Sequence, residues 1–162
     1  MYWSSRSGGF GLIGAAAYVM AIVSWCSLLL TGHQPQGIRD FSLYFLRWRA
    51  RSLAYMALLR DEYPPFGDGP SAAVIEVGEP TATRPLDVIA LRLLLALPHL
   101  VVLALLLIAW FVTTVIAWVA ILFTGSYPAS LYPFGVGVMR WALRVEAYLL
   151  LLVDVYPPFS LE

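Results

Sequence analysis

The sequence predicts an all-α integral membrane protein. It is read as a tandem repeat of a membrane helix followed by an arginine-bearing interfacial or half-inserted helix, with two to four crossings. Three observations predict this. Composition is the first: 60% of residues are apolar and 12% are charged, about half the usual charged share. The second is a pair of long apolar runs, Phe10 to Leu30 without a charge and Val88 to Phe123 broken only by Arg92 and His99. The third is an internal repeat. Residues 30–66 lie over residues 123–159 without a gap, and 16 of the 37 positions are identical. Repeats are read before local features, because one unit then constrains the other.

The repeat organises the chain into residues 1–66, a linker at 67–85, and residues 86–162. The first unit is short at its front, since most of residues 84–98 would map ahead of residue 6. Within the first unit, the 21 apolar residues from Phe10 are long for a cleaved leader, and no small-residue cleavage pattern follows them. A membrane helix is the better reading. Gly11, Gly14, Ala15, Ala17 and Ala21 give it small surfaces for packing.

Thr31-Gly32 then ends the helix, and a turn with Pro35 leads into a second helix near Phe41. That helix carries Arg47, Arg49 and Arg51. Each arginine near a bilayer centre costs about 2.5–3.5 kcal/mol, and each large apolar residue returns about 0.3–0.6. Three arginines are therefore not recovered by the helix alone. It lies in the interface with its arginines snorkelling, or inserts against other protein. At helical spacing Arg47, Arg51, Ala54, Leu58 and Asp61 share a stripe, with Arg49 nearly opposite.

The linker, GDGPSAAVIEVGEPTATRP, is the polar stretch between the units, and its glycines and prolines mark it as a connection. The second run spans 36 residues, roughly 54 Å of helix against a hydrocarbon core of about 30 Å. Pro98 is the expected divider. It gives an amphipathic helix at about 86–97 and a membrane helix at about 98–123. Thr124-Gly125 and Pro128 repeat the turn. The last helix begins near Phe134 and carries Arg140, Arg144 and Glu146, with Glu146 away from the arginine face. Arg140, Arg144, Ala147, Leu151 and Asp154 repeat the stripe.

Two topologies follow. Fully inserted second helices make each unit a hairpin and the units parallel. Surface or half-inserted ones make each unit cross once, with the units inverted. The first unit's richer arginine content suits the inverted case, with residues 33–97 cytoplasmic.

Both units end in Tyr-Pro-Pro-Phe: Tyr63, Pro64, Pro65, Phe66 and Tyr156, Pro157, Pro158, Phe159. Two prolines stop a helix, and the aromatics suit headgroup depth or a docking contact, as do Trp48 and Trp141.

The second unit resembles a bacterial integral-membrane family, common in actinobacteria and catalogued as a domain of unknown function. The residues that carry the likeness are Leu97-Pro98-His99, Phe123 to Pro128, Phe134 to Tyr148 and Asp154 to Glu162. The first unit is similar but lacks the Leu-Pro-His opening and has His33-Gln34 in the turn. The resemblance implies a multi-pass protein of the bacterial cytoplasmic (inner) membrane and implies no reaction.

Net charge is zero, so no basic face invites nucleic acid. One cysteine, Cys26, makes no internal disulfide, and no Cys/His spacing suggests a metal. No cofactor is expected. No nucleophile–base constellation stands out, so the chain is read as not an enzyme. His33 and His99 are read as polar contacts at helix ends. Arg47/Arg51 and Arg140/Arg144 are candidates for lipid headgroups or for ion pairs, with Asp61 and Asp154 as partners. The expected function is a non-catalytic accessory or scaffold subunit bound to other membrane protein subunits. The alternative is a phospholipid-binding or lipid-handling protein. A membrane enzyme or transporter would need buried carboxylates facing a cavity.

Overall fold

The computed structural model describes residues 6–31, 34–63 and 86–161. Four helices make up the described structure: α1 (Arg6–Thr31), α2 (Gln36–Met56), α3 (Leu86–Thr124) and α4 (Tyr132–Leu149). Among the described residues there are no strands. The linker 67–85 and Pro64, Pro65, Phe66 and His33 lie outside them.

α1 and α3 are long and apolar enough to cross a membrane, over Gly14–Thr31 and Leu91–Thr124. Only 17% of each stretch is buried in the protein. Their ends are alike. Thr31 donates its hydroxyl to Ser27 O at 2.7 Å, and Thr124 donates to Ala120 O at 2.8 Å. Gly125 then takes φ +70°, the left-handed turn that glycine enters without a steric penalty.

The long run is not divided. α3 continues for 39 residues through Pro98, where two helices meeting at the proline were expected. A mid-helix proline removes one backbone bond and crowds the carbonyl four residues back. Here the neighbouring carbonyl, Leu95 O, accepts from the Tyr156 hydroxyl at 3.3 Å. The packing of α4 and the tail along this stretch overrides the local preference for a break. His99 is therefore buried in mid-helix and not at a helix end.

α2 folds back beside α1: Phe45, Trp48 and Ser52 line a small cavity with Tyr18 and Gly14. α4 folds back beside α3 in the same way. An added Cβ on Gly135 would touch Trp110, Trp141 bonds His99, and Tyr148 faces Arg92. So each unit is an antiparallel pair of helices, and α2 and α4 then pack on each other. Arg49 meets Glu146, while Leu59, further along, lies against Gly135, further back. α2 and α4 thus run in opposite directions. One core holds Ala17 and Ala21 of α1, Phe45, Leu46 and Trp48 of α2, and Leu143, Ala147, Leu150 and Leu152 from α4 and its exit.

The exits match residue for residue. Leu58 N bonds Tyr55 O and Leu59 N bonds Ala54 O, while Leu151 N bonds Tyr148 O and Leu152 N bonds Ala147 O. These nested bonds are the Schellman cap. Its left-handed position is filled by leucine in both places, with φ 59° at Leu58 and 61° at Leu151. A side chain there costs about 1–2 kcal/mol. The strain stands at the same position of both units, where each arginine helix turns out into its Tyr-Pro-Pro-Phe segment.

Candidate functional site: a groove between the long helices

Between α1, α3 and α4 lies a groove of about 710 Å³, lined mainly by apolar side chains. Ile22, Trp25 and Leu29 come from α1, Leu93, Leu100 and Leu107 from α3, and Val145 and Leu149 from α4. Cys26, the lone cysteine, also lines it and is exposed. Trp25 is fixed by its indole N–H, which donates to Leu149 O at 3.2 Å.

The polar feature of the groove is a triad. Arg49 forms an ion pair with Glu146, and its Nη1 also donates to the Tyr18 hydroxyl at 3.1 Å. All three line the groove. Glu146 is 10% exposed and Arg49 36%. A buried carboxylate of this kind is costly unless paired, and Arg49 supplies the pair from the other unit. The condition of a buried carboxylate facing a cavity is thus met in the structure, but by a carboxylate already bound to a cation.

A second polar centre locks the exit of α4, just beyond Glu146. Arg92 is 1% exposed. It donates to Asp154 at 2.5 Å and to Val153 O at 2.9 Å, and its guanidinium lies 4.8 Å above the Tyr148 ring. Beside it the tail closes over His99. Phe159 stacks on the imidazole at 3.8 Å, and Tyr156 tilts against it. The Trp141 indole donates to His99 Nδ1 at 3.2 Å. An added Cβ at Gly137 would come within 2.5 Å of Leu161 O, so the tail needs that glycine.

The residues nominated from sequence divide. Arg47 and Arg140 are exposed. Arg51 is buried and donates to Arg47 O at 3.3 Å. Arg144 donates to Ser160 O at 2.5 Å. Of the carboxylates proposed as partners, Asp154 pairs with Arg92, and Asp61 is exposed. Trp48 and Trp141 are buried at 4% and 5%, inside the protein and not at an outer surface. Tyr63 is exposed and edges onto Tyr55. Pro157 is buried and Pro158 exposed.

Arg49, Glu146 and Arg92 are the residues that sequence reasoning passed over. A signal was there. Arg49 aligns with Ala142, and Glu146 with Leu53. These two positions carry charges of opposite sign that the other unit does not repeat, as a contact across two non-equivalent units requires.

The model of the family described as Domain of unknown function (DUF4389) matches residues 10–67 and 87–160. The chain belongs to the DUF4389 family. The matched segments cover both helix pairs, the groove and the Arg49–Glu146 contact, and leave out the linker. No curated protein and no solved structure matches this DUF4389 chain.

Proposed function

We propose that this DUF4389 protein is a non-catalytic accessory or scaffold subunit of a larger bacterial membrane assembly. In this reading the two units are an internal duplication, packed inverted in the cytoplasmic membrane. α1 and α3 cross in opposite directions, and α2 and α4 are half-inserted from opposite sides. The opposite run of α2 and α4 supports the inverted arrangement. Their position alongside α1 and α3 supports half-insertion over a flat interfacial helix.

The observation that carries the subunit reading is the apolar length of α3. The stretch Leu91–Thr124 has 34 residues, about 51 Å at 1.5 Å per residue. Apolar side chains face outward at both extremes, with Leu94 61% exposed and Leu122 65%. A hydrocarbon core of about 30 Å would cover it only at a tilt of about 54°, beyond the usual range of about 0–40°. At an ordinary tilt, some of this surface lies outside the lipid tails and requires other protein to cover it.

Gentle detergent extraction of the native protein, followed by native gel and mass spectrometry, tests the proposal. The expected result is migration in an assembly with stoichiometric partners. A small particle carrying phospholipid alone would overturn it.

A further inference from the structure

We propose that the α1–α3 groove is a lipid site: it takes one long acyl chain, ester-linked in a phospholipid, with the ester oxygens held by Arg49. This rests on the membrane placement above but not on the subunit reading.

The shape supports a chain. The α1 wall runs from Tyr18 to Leu29, about 16 Å at helical rise, and the α3 wall from Leu93 to Leu107, about 21 Å. Those are lengths of an extended long-chain tail. The volume, about 710 Å³, lies within the roughly 300–1,000 Å³ of ordinary ligand pockets. The rival occupant is an apolar helix from a partner. Such a helix would bring no acceptor for Arg49.

The chemistry supports an ester. Arginine has five N–H donors in a planar fork. Among the described residues, Arg49 spends Nη1 on Glu146 and Tyr18, while Nη2 and Nε bond no described residue. Those donors belong to a side chain that lines a mainly apolar groove, where an acceptor oxygen would complete them. Glu146 already neutralises Arg49. A free carboxylate would therefore meet Glu146 at close range, whereas an uncharged ester carbonyl would not. Two negative charges sharing one site repel, so a phospholipid chain is preferred to a fatty acid.

The test uses the purified full chain in mild detergent with two probes: phosphatidylcholine carrying a photoactivatable tail, and palmitic acid with the same photoactivatable group. Cross-linked positions are mapped by mass spectrometry. Labelling by phosphatidylcholine is expected to concentrate on groove residues such as Leu29, Leu100 and Leu107. Ala104→Trp, which fills the groove, should cut that labelling about tenfold, the equivalent of roughly 1.4 kcal/mol. Phe111→Trp, on the outward face, should leave it unchanged. Arg49→Lys keeps the charge opposite Glu146 but removes the fork, and should weaken groove labelling several-fold. Label spread evenly around α1 and α3 in the wild-type chain would overturn the proposal. So would stronger groove labelling by palmitic acid, or a polypeptide cross-linked to Cys26 in native membranes.

Discussion

The two helix pairs share their caps and ring contacts but not their burial. Tyr55 and Tyr63 meet edge to face at 5.6 Å, and Tyr148 and Tyr156 at 5.9 Å. Yet Tyr55 is 38% exposed and Tyr148 3%. The difference lies in the N-terminal stretch of α3, ahead of Pro98. That stretch brings Arg92 down onto Tyr148, Val153 and Asp154. One local motif is thus an open corner in one unit and a locked core in the other. The local sequence sets the helix exit, and an element outside the repeat sets how much rests on it.

Breaking the lock should have the largest effect. Asp154→Ala leaves a buried guanidinium without its carboxylate and should cost about 3 kcal/mol. The matched change, Asp61→Ala, removes an exposed carboxylate and should fall within about 0.5 kcal/mol. Thermal unfolding of both variants in mild detergent checks the contrast. Equal losses would mean that the two exits carry equal load.

The strained caps sharpen the comparison. Replacing leucine by glycine at the left-handed position relieves about 1–2 kcal/mol of strain in either unit. Leu151 is fully buried at 0% exposure, and deleting a buried leucine costs about 2–5 kcal/mol. Leu151→Gly should therefore destabilise by about 2 kcal/mol. Leu58 is half-buried, so Leu58→Gly should be neutral to within about 1 kcal/mol. The same unfolding measurement reads both.

Much of the fold is legible in the sequence, because repeated Thr-Gly, Arg-Trp and Tyr-Pro-Pro-Phe punctuation marks each helix. The ion pairs were less legible. Searching for partners within the repeated stripe favours residues that occur twice, whereas Arg49, Glu146 and Arg92 each occur once. Pro98 misled for a related reason. Its local preference is to end a helix, and only the tertiary packing of Tyr156 and Phe159 shows why the helix continues. The groove is invisible along the chain, since Ile22, Leu100 and Val145 look like any lipid-facing or core residue.

The smallest stability effects belong to the two outward arginines. Arg47 and Arg140 occupy the same place in the repeat and both are exposed, while Arg51 and Arg144 are committed to backbone carbonyls. Arg47→Ala and Arg140→Ala should each change unfolding stability by no more than about 0.5 kcal/mol, because no buried group loses a partner. A guanidinium that bonds no described residue can still bind outside the protein, and its fork suits phosphate in two-point contact. If phospholipid headgroups take these two positions, the double variant should retain less anionic lipid through purification while unfolding at the wild-type temperature. Loss of lipid from only one single variant would show that the two units face different surfaces. Unchanged lipid in the double variant would leave Arg49 as the lipid-binding arginine and separate the groove from the headgroup region.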